Sequence, residues 1–272
     1  MNYLLGIDVG TSATKTVLFD EKGTVIASAS QEYPLYQPEN GWAEQKPEDW
    51  AAAVLKTIKE VVSKSGADKD EVKGIGISGQ MHGLVMLDEA GKVIRPSIIW
   101  CDQRTGAEVE DMLKIMPKEE WIRITANPPL TGWTAAKILW VRKNEPENYN
   151  CCRHILLPKD YIRYILTGVF ATEVSDASGM QLLDVPGRCW SDEVLEALKI
   201  DKNLLGKVYE SCEATGTLLP EVAQELGLSE SCVVAGGAGD NAAAAVGTGV
   251  VKDGTAFTTI GTSGVVFAHT SK

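Results

Sequence analysis

The order of elements in the first 80 residues is the feature that most constrains the fold of this 272-residue chain. Apolar and alternating patterns predict three strands, a helix and a fourth strand, at residues 3–9, 15–20, 24–32, 47–65 and 73–79. Pro47 begins this helix and Gly66 ends it. Further helices are predicted near 102–115, 134–144, 158–166, 191–198 and 220–226. A βββαβ order predicts a mixed α/β lobe rather than the βαβ opening of a dinucleotide-binding fold.

The first strand carries an acid, Asp8, to its end, where Gly10, Thr11 and Ser12 form a turn. Glycine permits a sharp bend, and the outward N–H and hydroxyl groups of such a turn can donate to phosphate oxygens. Asp8 can reach a Mg²⁺ ion through water, as this hard cation prefers, and Lys15 can supply a nearby positive charge. An ordinary β-turn with an acidic residue is the alternative interpretation.

A second turn of the same kind lies near the other end of the chain. Gly261, Thr262 and Ser263 stand between predicted strands at 254–260 and 264–269. Alone, this turn is also compatible with a plain hairpin. Two such turns facing each other would hold one polyphosphate from both sides, so the pair predicts a nucleotide-phosphate site.

A glycine-rich bend, Gly236-Gly237-Ala238-Gly239, precedes Asp240 and an alanine-rich helix at 241–247. Glycines this dense before an acid suggest the close approach of a ligand. Asp240 is then a candidate base that accepts a proton from a substrate hydroxyl as its oxygen attacks the γ-phosphate. The alternative is that Asp240 only caps the helix.

Together these three motifs resemble the actin-like ATPases, and within them the FGGY family of carbohydrate kinases. The segment 132–144 (GWTAAKILWVRKN) fits the first signature of that family at each constrained position. The resemblance covers the whole chain. It implies an actin-like ATPase (ribonuclease H-like) lobe with a mixed five-stranded sheet flanked by helices. It also implies an N-terminal domain at 1–245 and the start of a truncated C-terminal domain at 246–272.

The segment 80–83 (QMHG) is similar to that of the FGGY members that phosphorylate D-xylulose. Met81 and His82 are therefore candidate sugar contacts, as are Asp240 and Asn241 beside it. Trp100 is expected to stack on the carbon skeleton of the sugar.

Two charged residues near Trp100 are more ambiguous. Asp102 and Arg104 could contribute to the same site, or they could serve as a helix cap and a structural ion pair.

The resemblance implies transfer of a phosphoryl group from ATP, with Mg²⁺, to D-xylulose, which gives D-xylulose 5-phosphate. Ribulose, gluconate, rhamnulose and glycerol are alternative acceptors within the family. A non-catalytic actin-like module that binds a sugar or nucleotide is an alternative from another class.

Charge and composition limit the partners. The net charge is −11 and no basic stripe occurs, so we expect no nucleic-acid partner. No stretch approaches the roughly 20 apolar residues that span a membrane, so we expect no membrane partner. The six cysteines are scattered, which favours reduced thiols in a cytoplasm. A homodimer is left open.

The length departs from the family, whose members are about twice as long on the usual scale of domain sizes. A hairpin is predicted just before Lys272 with nothing after it to pack on. We therefore expect a fragment whose missing half holds the adenine pocket and the lid. Such a fragment should lack kinase activity.

Overall fold

The computed structural model describes residues 1–260 and 264–271 of the chain. The predicted second phosphate turn, formed by Gly261, Thr262 and Ser263, lies outside the described residues. Within them, no helix has both the length and the apolar character needed to cross a membrane.

The described elements alternate between short strands and helices. The strands are β1 (Tyr3–Val9), β2 (Ala13–Asp20), β3 (Val25–Glu32), β4 (Glu44–Gln45), β5 (Val72–Gly79), β6 (Val85–Leu87), β7 (Ser97–Ile98), β8 (His154–Leu156), β9 (Ala171–Glu173), β10 (Leu183–Asp184), β11 (Cys189–Trp190), β12 (Lys207–Tyr209), β13 (Ala214–Thr217), β14 (Val233–Ala235), β15 (Ala238–Gly239), β16 (Ala256–Ile260) and β17 (Gly264–Ala268). The α-helices are α1 (Pro47–Ser65), α2 (Gly106–Ile115), α3 (Lys118–Thr125), α4 (Thr134–Asn144), α5 (Pro146–Cys151), α6 (Pro158–Thr167), α7 (Val174–Ala177), α8 (Asp192–Leu198), α9 (Pro220–Leu226) and α10 (Asp240–Gly247).

A mixed sheet forms the centre of the molecule, with strand order β13-β14-β5-β1-β2-β3. β1 runs antiparallel to β2 and parallel to β5, and β14 and β15 both pair in parallel with β5. The predicted mixed α/β lobe is therefore confirmed. Its sheet has seven strands rather than the five expected, because β13 and β15 extend it. These two strands have four and two residues, too few to show a periodic pattern in the sequence.

One face of the sheet is covered by α1, whose bounds match the prediction. Trp50, Val54, Ile58 and Val61 recur at helical spacing and are all buried against the sheet. The helix begins at Pro47. Proline has no backbone N–H, and the first residue of a helix needs none because its N–H would have no partner within the helix. This core also includes side chains of α6 and α9.

A second hydrophobic core lies among α2, α3, α4 and α8. The helix predicted from residue 102 begins only at Gly106. The reason is that Asp102 is buried and its carboxylate accepts hydrogen bonds from the backbone of Ala43 and from Arg104. A tertiary contact thus replaces the first helical turn that the local sequence favours.

The bend before Asp240 generates a prediction about stability. Gly237 has a φ of 82°, and a Cβ atom there would lie 2.1 Å from the carbonyl oxygen of Ile77. Gly237→Ala should lower the free energy of unfolding by more than about 3 kcal/mol or prevent folding, because the clash is with a buried backbone. Urea unfolding followed by circular dichroism measures the change.

The matched control is Gly227→Ala, since Gly227 has a φ of 67° but open space around it. That variant should lose only about 1–2 kcal/mol, the intrinsic cost of a left-handed conformation. An equal decrease in the free energy of unfolding in the two variants would contradict the prediction that the contact with Ile77 matters.

Candidate functional site

The register of the central sheet brings four predicted or neighbouring site residues into one row. Asp8 of β1 lies opposite Lys15 of β2 and opposite Ser78 of β5. Ser78 in turn lies opposite Ala238 of β15, two residues before Asp240. Asp8 and Asp240, more than 230 residues apart in the sequence, therefore meet at the same edge of the sheet.

The first phosphate turn presents free donors. Gln45 Nε2 donates to the carbonyl oxygen of Thr11 at 2.8 Å, and Gln80 Nε2 donates to that of Gly10 at 3.3 Å. Within the described ranges, the amide N–H groups of Thr11 and Ser12 have no hydrogen-bond partner. The turn is thus held through its carbonyl oxygens while two N–H groups remain available for an anion.

The Asp8 carboxylate is bound on one side only. Its Oδ1 accepts a hydrogen bond from Ser78 Oγ at 2.8 Å. Among the residues that the structure covers, no hydrogen bond reaches Oδ2, and no three His, Cys, Asp or Glu side chains converge as metal ligands. One free carboxylate oxygen beside phosphate donors fits a Mg²⁺ ion that keeps most of its waters.

Asp240 is the first residue of α10 rather than its cap, which is Gly239. Its Oδ1 accepts hydrogen bonds from the backbone N–H and from the side-chain amide of Asn241, at 2.7 and 2.9 Å. Desolvation raises the pKa of Asp240 above its ordinary value, and the charge of Asp8 adds to this effect, while the Asn241 bonds oppose it. Asn241 therefore orients the carboxylate, and its amide is engaged there.

The glycines before Asp240 fit against protein atoms. A Cβ atom at Gly236 would lie 2.6 Å from the carbonyl oxygen of Glu210, and one at Gly239 would lie 2.7 Å from Met81 Sδ. Close packing of the chain on itself therefore requires glycine at these two positions, and the approach of a ligand to the bend stays a prediction. The same packing sets Met81, a predicted sugar contact, beside the residue that precedes Asp240.

His82 is held in a conformation that a non-glycine residue rarely adopts, with a φ of 67°. Its Nδ1 lies 2.8 Å from the carbonyl oxygen of Gly179, and its ring stacks on Trp133 at 4.5 Å. Its own carbonyl oxygen accepts hydrogen bonds from Thr134 Oγ1 at 3.1 Å and from Lys137 Nζ at 2.7 Å. The 132–144 segment therefore fixes the loop that carries His82.

The sequence singles out Lys137 only as part of the family signature, on a helix that is expected to face the core. It is fully buried, and its Nζ also donates to the carbonyl oxygen of Gly132 at 2.7 Å. Burial lowers the pKa of Lys137 to about 7. The signal that the sequence offered was a lysine one turn from Trp140 on an otherwise apolar helix face.

Trp100 lies beside the phosphate turn. Its Nε1 donates to Thr11 Oγ1 at 2.9 Å, and 38% of the residue is exposed. Asp102 and Arg104 form a buried ion pair at 2.7 Å, and the guanidinium lies 3.7 Å from the ring centre of Trp42. These two residues are structural, and stacking of Trp100 on a sugar stays a prediction.

A cavity of about 670 Å³ opens beside the row of Asp8, Lys15 and Ser78. Apolar side chains of the sheet line most of it, and α10 closes one side through Ala243 and Val246. Of the candidate site residues, Asp8 and Lys15 line this cavity, as do Gly237 and Ala238 of the bend before Asp240.

Comparison with known proteins identifies the family. Residues 3–247 match the N-terminal domain of the FGGY family of carbohydrate kinases. The chain belongs to this family. It is 41% identical over 269 residues to the xylulose kinase of Bacillus subtilis, covering 99% of this chain and 54% of that relative.

Solved structures give the same family. A xyloylose kinase from Brucella ovis has a TM-score of 0.92 and 40% identity, covering 98% of this chain and 55% of that one. A gluconate kinase from Lactobacillus acidophilus has a TM-score of 0.91 and 30% identity, covering 97% and 53%. The chain thus spans about half the length of the relatives it matches.

The surroundings of His82 predict a dependence of stability on pH. Burial lowers the pKa of His82 from 6.5 to about 4, so the unfolded state binds a proton at a higher pH than the folded state. The stability linked to neutral His82 is complete above pH 6.5 and is lost as the pH falls toward 4, by about 3 kcal/mol in total.

NMR titration of the ring protons should give His82 a midpoint near 4. Urea unfolding at pH 7 and pH 4.5 should show a smaller difference for His82→Gln than for the unaltered chain. A His82 midpoint above 6, or an unchanged pH dependence in the variant, would contradict the prediction.

Proposed function

We propose that this chain is the sugar- and phosphate-binding half of an ATP-dependent kinase that converts D-xylulose into D-xylulose 5-phosphate. The observation that carries the proposal is the row across the sheet, in which Asp8 lies opposite Ser78 and Ser78 lies opposite Ala238, two residues before Asp240. The activity belongs to a protein in which this chain is joined to a C-terminal half like that of its relatives.

The phosphates of ATP would accept hydrogen bonds from the N–H groups of Thr11 and Ser12, with Lys15 adding a positive charge. Asp8 would hold Mg²⁺ through water, and this ion, when bound, neutralises charge on the phosphate oxygens. The turn at 261–263 is proposed as the second phosphate contact. Residues 1–245 form the N-terminal domain in this account, and 246–272 begin the C-terminal domain.

Asp240 would act as the base. A sugar hydroxyl oxygen attacks the γ-phosphorus, its proton passes to the Asp240 carboxylate, and the bond from the γ-phosphorus to the bridging oxygen breaks to release ADP. Desolvation, together with the charge of Asp8, raises the pKa of Asp240, which strengthens it as a proton acceptor. The two hydrogen bonds from Asn241 fix one carboxylate oxygen and leave the other for the sugar.

The sugar would lie against the Met81–His82 loop, with Trp100 on its carbon skeleton. Burial keeps His82 neutral at physiological pH. Because Nδ1–H donates to the carbonyl oxygen of Gly179, Nε2 of the neutral ring is left to accept one directional hydrogen bond from a sugar hydroxyl. Asn241 is a second candidate contact for a sugar hydroxyl. All six cysteines are free thiols, which supports a reducing cytoplasm as the compartment. We propose a homodimer as the assembly.

Replacement of the base tests the reaction. In the two-half protein, Asp240→Asn should reduce kcat for D-xylulose by about 10²–10⁴-fold with little change in KM, because the amide cannot accept the proton. A coupled assay of ADP release measures this, with ribulose, gluconate, rhamnulose and glycerol as alternative acceptors.

The control is Asp20→Asn, which changes a partly exposed carboxylate at the end of β2, where it accepts hydrogen bonds from the turn. It should leave kcat unchanged. Turnover of Asp240→Asn within a few-fold of the unaltered enzyme would favour the non-catalytic module. If another acceptor were phosphorylated faster, that acceptor rather than D-xylulose would be the substrate.

The isolated 272-residue chain provides a separate test. Calorimetric titration should detect D-xylulose binding but no transfer from ATP, because the second half of the nucleotide site is needed for transfer. His82→Ala should abolish the binding heat, whereas His154→Ala, which alters a histidine stacked on Phe170, should keep it. Normal turnover by the isolated chain would disprove the proposal that phosphoryl transfer requires both halves of the protein.

A further inference from the structure

A buried group of five charged side chains lies behind the glycine-rich bend. Its members, all at most 1% exposed, are Lys159, Asp160, Arg163, Glu173 and Asp176. Lys159 Nζ lies 2.7 Å from Asp160, 3.3 Å from Glu173 and 3.4 Å from Asp176, and Arg163 lies 2.8 Å from Asp160. None of them belongs to the row at the sheet edge.

The charges in this group balance if one carboxyl is neutral. Burial raises the pKa of Asp176 well above its usual value, and the neighbouring carboxylates of Asp160 and Glu173 raise it further. Two cations then face two carboxylates. A buried ion cluster seldom stabilises a fold more than apolar residues of the same volume would, so its presence calls for another reason.

Glu173 connects the group to the bend from two sides. Its Oε1 accepts a hydrogen bond from Ser175 Oγ at 2.9 Å, and Ser175 Oγ accepts one from the N–H of Gly239 at 3.1 Å. Its Oε2 accepts a hydrogen bond from Ser211 Oγ at 2.6 Å, and the carbonyl oxygen of Ser211 accepts one from the N–H of Gly237 at 3.0 Å. One carboxylate thus holds both ends of the segment 237–239.

Arg163 adds a third attachment, because its Nη1 donates to the carbonyl oxygen of Gly236 at 2.8 Å. Three of the four residues in the bend are glycines and have no side chain that packing could hold. Hydrogen bonds to the backbone are therefore what fixes this segment. Asp240 follows Gly239 directly, so its carboxylate takes its position from these bonds.

We propose that Ser175 and Glu173 are positioning residues for the base: they hold the N–H of Gly239 and so set where the Asp240 carboxylate meets the sugar hydroxyl. This inference rests on the proposed function. Ser175 does not touch the row at the sheet edge, and its contribution passes through the backbone of Gly239.

The kinetic test uses three variants of the two-half protein. Ser175→Ala removes the acceptor of the Gly239 N–H and should lower kcat for D-xylulose by about 10- to 100-fold, the effect of a small misplacement of a reacting group. The KM values for sugar and ATP should change less than threefold, roughly, because binding does not require the base. Ser175→Thr, which keeps the hydroxyl, should restore most of kcat.

The matched control is Ser178→Ala, since Ser178 Oγ bonds to the carbonyl oxygen of Ser175 in the same stretch but not to the bend. It should leave kcat unchanged. An unchanged kcat in Ser175→Ala would overturn the proposal. So would a parallel loss of kcat and rise of KM with no rescue by threonine, since that pattern indicates general disruption.

A second measurement does not depend on activity. In the 272-residue chain, NMR-detected exchange of the Gly239 amide proton should become about 2- to 10-fold faster in two variants. Ser175→Ala removes the acceptor of that N–H, and Glu173→Gln weakens the hydrogen bond that orients the Ser175 hydroxyl. Ser178→Ala should leave it unchanged. Unaltered exchange in both test variants would overturn the relay itself, that is, the chain of hydrogen bonds from Glu173 through Ser175 to Gly239.

The two measurements separate the two proposals. If the unaltered two-half protein does not phosphorylate D-xylulose, the proposed function fails while the exchange data still test the relay. Faster exchange with an unchanged kcat would mean that the relay holds the bend without positioning the base, and it would overturn the inference. If Ser175→Ala does not fold, Ser211→Ala replaces it, because Ser211 forms the other arm from Glu173.

Discussion

The parallel pairing of β1 with β5 is the constraint on which the rest of the site depends. It sets Asp8 opposite Ser78 and Val9 opposite Gly79, and β15 then adds on the far side of the same residues. A Cβ atom at Gly79 would lie 3.0 Å from the carbonyl oxygen of Val9, so the strands approach closely at this point. The phosphate turn after β1 and the base after β15 are brought together only because both strands end at this edge.

Around that edge, side chains hold the site mainly through backbone groups. Gln45 holds the phosphate turn by the carbonyl oxygen of Thr11, and Lys137 holds the sugar loop by that of His82. Ser175 holds the N–H of Gly239 in the same way. Each of these bonds fixes a segment while leaving the functional side chain free. A site assembled from loops of this kind gains its rigidity from buried polar side chains that form hydrogen bonds with the backbone.

Electrostatics differ between the edge of the sheet and the charged group behind it. At the edge, desolvation dominates, so the pKa of Asp240 is raised while those of His82 and Lys137 are lowered, and each shift favours the neutral form. Behind the bend, desolvation of Lys159 is outweighed by the acidic side chains around it, and its pKa rises. The difference follows from the partners: backbone dipoles offset burial less than opposite charges at about 3 Å do.

The sequence by itself determined the elements with strong local patterns. The apolar period of 47–65 and the signature at 132–144 needed no tertiary information, because periodicity is set by neighbours along the chain. Asp8 and Asp240 could likewise be singled out, since Asp8 lies near the end of the first strand, two residues before Gly10, and Asp240 directly follows Gly239. Which groups lie next to Asp8 and Asp240 in the folded chain could not be predicted from the residues beside them in the sequence.

The tertiary structure decided the rest. It placed Asp102, where a helix start was predicted, in a buried ion pair with Arg104, and it showed that the glycines at 236, 237 and 239 pack closely against the chain itself. It also gave Lys137, Ser175 and Glu173 their roles, since their partners lie 38 to 64 residues away along the chain. Such contacts arise from strand register and from packing between distant segments, and no pattern within one segment encodes them.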